Sequence, residues 1–206
     1  MNATLRFALW FASIGVAVYA IAAYAFVAPG ALVDPSMRAS FEAHAGAIRS
    51  HAFAASLALL LGPAQLSPRL RARRPRLHRW LGRIYLGLGV GVGGVAGLFM
   101  ATHAAGGTWA RLGFGALAVA WLFTGARAYA AARARSFVEH RRWMVRNFAL
   151  TFAAVTLRIY VASSIVGGIA FATAYPAIAW LCWVPNLVVA ELLFNRPTRV
   201  AIGVVR

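Results

Sequence analysis

Six apolar runs, each about as long as a membrane span, dominate this sequence of 206 residues. A helix needs about 20 mostly apolar residues to cross the hydrocarbon core of a bilayer. Charged residues make up only 12% of the chain, against about 25% in soluble domains. We therefore expect one all-α transmembrane domain of six helices over residues 1–206. The predicted spans are 7–28, 46–66, 80–102, 112–131, 143–166 and 175–194.

The first run shares one feature with a signal peptide, because Ala-Tyr-Ala at 23–25 has the small residues of a cleavage site. Its apolar stretch is longer than the about 7–15 residues of a signal peptide, which favours a retained helix. We expect this helix to be peripheral and the core bundle to form from the second to fifth spans.

All 21 basic residues are arginine, and they concentrate in the loops after the second and fourth spans and in the C-terminal tail. Arginine-rich loops stay in the cytoplasm, which predicts that both termini are cytoplasmic. The same residues suit anionic lipids at that face, and their position between apolar runs argues against nucleic acid. They are Arg69, Arg71, Arg73, Arg74, Arg76, Arg133, Arg135, Arg141, Arg142, Arg196, Arg199 and Arg206.

Four polar residues share one face of the fifth span. They are separated by 7, 4 and 7 positions, which at about 100° per residue places them in one stripe. Polar groups are costly in hydrocarbon, so the stripe should face the bundle interior, a partner or a water-filled cavity. The four residues are His140, Asn147, Thr151 and Arg158.

Two histidines, His78 and His140, open the third and fifth spans among arginines. A neutral imidazole is a ligand for haem iron, and guanidinium groups suit the haem propionates. On this reading Arg83 and Arg146 would hold the anionic groups. The alternatives are a structural histidine bonded to a carbonyl, a proton relay, or contact with a lipid or substrate.

His51 and Arg158 should lie at similar height in the outer half of the membrane, about 22 and 24 Å above the inner ends of their helices. We predict His51 as the ligand of an outer haem and Arg158 as the residue that tunes that site. Snorkelling to the outer surface is the alternative for Arg158. Two haems with two histidine ligands each would need four histidines, and only three are candidates. The missing fourth ligand would be His44, His103, Met100 or Met144.

Further polar residues complete the predicted core. Gln65 and Asn186 lie within apolar runs, and Glu191 lies near the inner end, where it would neutralise the arginines. Pro185 should kink the sixth helix. Small residues recur every four positions on the third span at Gly89, Gly93 and Gly97, a pattern typical of close helix packing or of a planar cofactor.

The third and fifth spans begin with similar sequences, HRWLGRIY at 78–85 and HRRWMVRNF at 140–148. The similarity predicts that helices 3–4 and 5–6 are two copies of one hairpin. The preference of Trp and Arg for membrane interfaces is the alternative explanation.

These residues resemble the bacterial predicted-membrane-protein family named domain of unknown function 2306, over about residues 45–195. The resemblance implies a membrane fold in a bacterial inner membrane, leaves the first helix outside its strongest part, and carries no activity. The matching stretches are His51, GPAQ at 62–65, HRWLGRIY at 78–85, HRRWMVRNFALT at 140–151, LR at 157–158, WVPNL at 183–187 and Glu191.

The leading functional hypothesis is a redox protein that binds haem b or a quinone, with His51, His78 and His140 as iron-ligand candidates. The second is a small-molecule or proton-coupled transporter, whose pathway would follow the stripe on the fifth helix. The third is a non-catalytic scaffold or assembly factor, in which the stripe only joins helices. The sequence contains no phosphate-binding loop and no hydrolase motif, so it leaves open whether the protein is an enzyme.

Overall fold

The computed structural model describes residues 3–195, and every regular element in that range is helical. Among these residues, six helices are long and apolar enough to cross a membrane, which confirms the predicted all-α architecture. Arg196, Arg199 and Arg206 lie outside the described residues, as do both termini, so the side on which the termini lie stays a prediction. The helices are α1 (Ala3–Phe26), α2 (Ala45–Gln65), α3 (Pro75–Thr102), α4 (Gly107–Arg133), α5 (Phe137–Val166) and α6 (Phe171–Phe194).

Two helices begin further into the arginine-rich sequence than their apolar runs predict. α3 begins at Pro75 instead of residue 80, and α5 begins at Phe137 instead of residue 143. Apolar content marks the part of a helix that lies in hydrocarbon, whereas backbone hydrogen bonding continues to the capped end. Pro75 fits the first turn of α3, where its missing N–H would have no helical partner. His78 and His140 therefore lie within the first turns of α3 and α5.

Two short helices mark the two ends of the bundle. The Pro68–Arg73 helix joins α2 to α3 at what we call the arginine-rich end, and the Pro35–Ala43 helix precedes α2 at the opposite end. Each begins with a proline after a capping side chain. Asp34 accepts a hydrogen bond from the backbone N–H of Ser36 at 3.0 Å, which fixes the start of the Pro35–Ala43 helix.

The bundle is centred on α2, α3, α4 and α5, each packed against its neighbour along the chain. α1 packs against α2 and touches α5, and α6 packs against α4 and α5. The glycine face of α3 lies on α2: a Cβ atom at Gly89 would come within 2.9 Å of the Cβ of Ala58. The small residues therefore serve close helix packing, one of the two roles that their spacing predicted.

Three membrane helices are interrupted. α3 contains a π-helical segment, Tyr85–Val92, which rotates the residues after it relative to those before it. α5 breaks at Phe152, between Phe137–Thr151 and Ala153–Val166. α6 breaks at Cys182 and Trp183, and Pro185 lies at the start of the following segment, Val184–Phe194. Pro185 was expected to kink the helix; the structure has an interruption that precedes the proline, because proline suits the first turn of a helix.

Candidate functional site: a polar cavity within the bundle

A cavity of about 1010 Å³ lies within the bundle, towards the end opposite the arginine-rich end. All six membrane helices contribute to its lining, together with the Pro35–Ala43 helix. Small-molecule sites typically measure about 300–1,000 Å³, so this cavity is large enough for a ligand with a ring system and a tail. Most of the wall is apolar, and the polar side chains in it include His51, Ser56, Trp121, Thr151 and Arg158.

His51 is held against the glycine face of α3. Its Nδ1 atom lies 2.8 Å from the carbonyl oxygen of Gly93. A Cβ atom at Gly97 would lie 2.9 Å from the same nitrogen, so glycine at this position leaves room for the ring. Because a carbonyl oxygen only accepts, Nδ1 carries the hydrogen, and in the neutral ring Nε2 is left as an acceptor or a metal ligand. The glycine pattern therefore positions a histidine as well as packing two helices.

Arg158 lines the same cavity from α5. One guanidinium nitrogen donates to the carbonyl oxygen of Ala154 at 2.7 Å, and the guanidinium carbon lies 5.6 Å from the ring centre of Tyr19. Arg158 is close enough to His51 for the two to interact electrostatically. Within residues 3–195 no carboxylate forms an ion pair with Arg158. Its remaining N–H groups are therefore available to a ligand.

A buried hydrogen-bond network closes the cavity towards the arginine-rich end. The Tyr85 hydroxyl donates to Oδ1 of Asn147 at 2.7 Å and lies 2.9 Å from Oγ1 of Thr151. The indole N–H of Trp121 donates to Thr151 at 2.8 Å. The amide nitrogen of Asn147 donates to Thr124 at 2.9 Å. Two members of the predicted stripe, Asn147 and Thr151, are thus tied into a network that joins α3, α4 and α5.

His78 and His140 lie at the arginine-rich end, and neither lines the cavity. Nδ1 of His140 is 2.8 Å from the carbonyl oxygen of Ala128, the structural arrangement that was one alternative for this residue. His78 is close enough to His140 for electrostatic interaction, and its own Nδ1 is buried without a hydrogen-bond partner in the described chain. Both histidines therefore lie at the arginine-rich end, away from the cavity that His51 lines.

Arg146 is already paired. It donates two hydrogen bonds to the carboxylate of Glu191, at 2.6 and 2.9 Å, and its guanidinium lies 4.4 Å from the ring centre of Trp143. This ion pair joins α5 to α6 at the arginine-rich end. Arg83 is exposed, and its side chain makes no hydrogen bond or ion pair with residues 3–195. Of the two arginines predicted to hold anionic groups, Arg146 is therefore engaged by Glu191, whereas the side chain of Arg83 has no such partner among the described residues.

The other predicted core residues have structural contacts. The side-chain amide of Asn186 donates to Oγ1 of Thr156 at 3.1 Å and to the carbonyl oxygen of Cys182 at 3.0 Å. It therefore connects the interrupted parts of α5 and α6. Gln65 is buried beside Gly82, with its amide nitrogen unpartnered among the described residues.

Sequence reasoning missed Trp121, Thr124 and Tyr19. All three lie in apolar runs without a polar stripe of their own. Of the three, only Trp121 could have been suspected from the sequence, because a buried indole N–H usually finds a hydrogen-bond partner. Finding that partner on α5 requires the tertiary structure.

A family described as "Predicted membrane protein (DUF2306)" matches residues 48–194. The chain belongs to this family. The match begins within α2 and ends with α6, so it includes the network, His51 and Arg158 and leaves α1 outside. No curated protein and no solved structure matches the chain.

Proposed function

We propose that this membrane protein binds a quinone-class molecule in the cavity and takes part in membrane redox chemistry. The observation that carries the proposal is that His51 and Arg158 line one cavity inside the bundle. The reduced head group, a quinol, presents two hydroxyls, of which one can donate to the imidazole of His51 and the other can accept from the guanidinium of Arg158. The apolar wall suits the ring and the isoprenoid tail of such a molecule.

The tautomer of His51 favours the reduced form of this ligand. Because Nδ1 donates to the Gly93 carbonyl, the neutral ring offers Nε2 as an acceptor. A quinol hydroxyl donates to such a nitrogen, whereas a quinone carbonyl cannot. Arg158 would donate to the second ring oxygen. Nε2 of His51 would accept the proton of the quinol hydroxyl that it binds, which makes His51 the proposed base.

Haem b is a second candidate, and the hydrogen bond from His51 to Gly93 favours it too. A metal-ligating imidazole usually donates its other ring nitrogen to a carbonyl or carboxylate, which fixes the ring and raises its basicity. His51 would hold the haem iron in the cavity through Nε2. His78 and His140 would serve only a separate group at the arginine-rich end, since neither reaches the cavity lining.

Transport and scaffolding remain alternative proposals. A pathway along the stripe of α5 would have to open the hydrogen bonds of Asn147 and Thr151, which are satisfied by neighbouring helices. The same network favours a role in holding helices together, but it gives no reason for the cavity beside it.

The test is to purify the protein in detergent from haem-replete cells and to record its absorption spectrum. The protein would then be titrated with a short-chain quinol, with tryptophan fluorescence as the readout because Trp121 lines the cavity. We expect saturable quenching, with His51→Leu and Arg158→Gln each weakening binding by about tenfold or more, or about 1.4 kcal/mol.

The matched control is His140→Leu, which removes another carbonyl-bonded imidazole outside the cavity. Equal quinol affinity in all three variants would contradict the quinone proposal. A Soret band that His51→Leu abolishes would favour haem b. If the protein shows no Soret band and does not bind the quinol, but is stabilised by another small molecule, the result would favour transport.

A further inference from the structure

A second pair of histidines lies at the end opposite the arginine-rich end. The ring centres of His44 and His103 are 4.1 Å apart, with 40° between the ring planes. Both residues line the cavity, one at the start of α2 and the other at the end of α3. They are 59 positions apart in the sequence, so only the fold brings them together.

Both rings are fixed through the same nitrogen. Nδ1 of His44 lies 3.0 Å from the carbonyl oxygen of Ser40. Nδ1 of His103 lies 3.2 Å from the carbonyl oxygen of Phe99 and 2.8 Å from the hydroxyl of Thr102. The Thr102 hydroxyl itself donates to Phe99, so it accepts from His103. Each Nδ1 therefore carries the hydrogen, and each neutral ring is left with a lone pair on Nε2.

The Nε2 atoms of the two neighbouring rings are both open to a ligand. Within residues 3–195 no side chain or backbone group donates to either Nε2 atom. Two imidazoles oriented by outer hydrogen bonds to carbonyls are the arrangement found around bound zinc and copper.

We propose that His44 and His103 form a two-imidazole site for an imidazole-preferring transition metal ion, Zn²⁺ or Cu²⁺. Water would complete the coordination, because no group of three or more His, Cys, Asp or Glu side chains in the described chain could hold a metal. Imidazole nitrogen selects these ions over Mg²⁺ and Ca²⁺, which prefer oxygen ligands. The site differs from the quinone site, which depends on His51 and Arg158.

The experiment uses the full chain in detergent, with any polyhistidine tag removed and metal stripped by a chelator. Titration with Zn²⁺ by calorimetry should show one ion per chain. His44→Gln and His103→Gln should each weaken binding by more than the about 10- to 100-fold cost of losing an outer-shell partner. Thr102→Val, which removes one outer hydrogen bond of His103, should fall within that range.

His78→Gln is the matched control, since it removes an imidazole at the other end of the bundle. A second readout is the electron paramagnetic resonance spectrum with Cu²⁺, which should show two coordinating nitrogens in the unmodified protein and one in each single variant. Unchanged Zn²⁺ affinity in both His44→Gln and His103→Gln would overturn the proposal. A single nitrogen in the unmodified protein would also overturn it.

Discussion

Four of the five histidines in this chain have Nδ1 within hydrogen-bond distance of a backbone carbonyl, at Ser40, Gly93, Phe99 and Ala128. Each carbonyl fixes the tautomer, so the neutral ring offers Nε2 to whatever lies on its other side. The chemistry open to each ring then depends on its surroundings. His51 lines the cavity together with Arg158, whereas His44 and His103 have each other as neighbours.

Tyr85 gives a prediction at the residue scale. It is fully buried, and its hydroxyl bonds to Asn147 and Thr151. Tyr85→Phe would leave Oδ1 of Asn147 without this donor, so we expect the free energy of unfolding to fall by about 1–2 kcal/mol. Unfolding in mixed micelles measures the change. Tyr129→Phe, at an exposed position, is the control, and equal stability of the two variants would contradict a structural role for the network.

At the scale of elements, the contact between α2 and α3 positions the site. The glycine face of α3 lets α2 approach closely enough for His51 to reach the Gly93 carbonyl. The π-helical segment begins at Tyr85, which joins the network, and ends at Val92, just before Gly93, which holds His51. The contact between α2 and α3 thus positions His51 in the cavity wall, and α3 also carries Tyr85 of the network.

The substitution Gly89→Ala should push α2 and α3 apart. The new Cβ would lie 2.9 Å from the Cβ of Ala58, whereas a Cβ at Gly87 would meet nothing within 4 Å. We expect Gly89→Ala to cost about 1–3 kcal/mol of stability and Gly87→Ala to be tolerated. Thermal melting in detergent measures both changes, and the quinol titration should weaken only in Gly89→Ala. Equal melting temperatures of the two variants would contradict the expectation that close contact between α2 and α3 stabilises the bundle.

At the scale of the whole molecule, the bundle has two different ends. The cavity occupies one, and the arginine-rich loops and the Arg146–Glu191 ion pair occupy the other. The network of Tyr85, Asn147 and Thr151 lies between them. A ligand would therefore reach the cavity from the cavity end or from the lipid, and not through the arginine-rich end.

The orientation of these ends can be tested with cysteine labels. Cys182 is the only cysteine and is fully buried, so Cys182→Ala provides a background free of thiols. In that background we expect a membrane-impermeant maleimide to label Thr108→Cys, but not Ser136→Cys, in intact cells. Inverted membrane vesicles should give the opposite result. Labelling of Ser136→Cys in intact cells would show that the arginine-rich end faces outwards.

Most of the fold could be predicted from the sequence, because the cost of burying polar backbone in lipid leaves an apolar run little choice but a helix. The helix ends could not, since α3 and α5 extend beyond their apolar runs into arginine-rich sequence. The site was predicted in part. His51 and Arg158 were expected at similar height, and they do line one cavity, but their functional roles stay predictions.

The sequence by itself determined the number of spans, their helical state and the end of the bundle that carries the arginines, because each depends on local composition along the chain. Tertiary structure alone decided which polar groups meet. Helical spacing placed Thr151 and Arg158 in one stripe, yet the break at Phe152 lies between them, and Thr151 joins Trp121 while Arg158 contacts Tyr19. Such contacts depend on how each helix is rotated and paired, and periodicity within one helix does not contain that information.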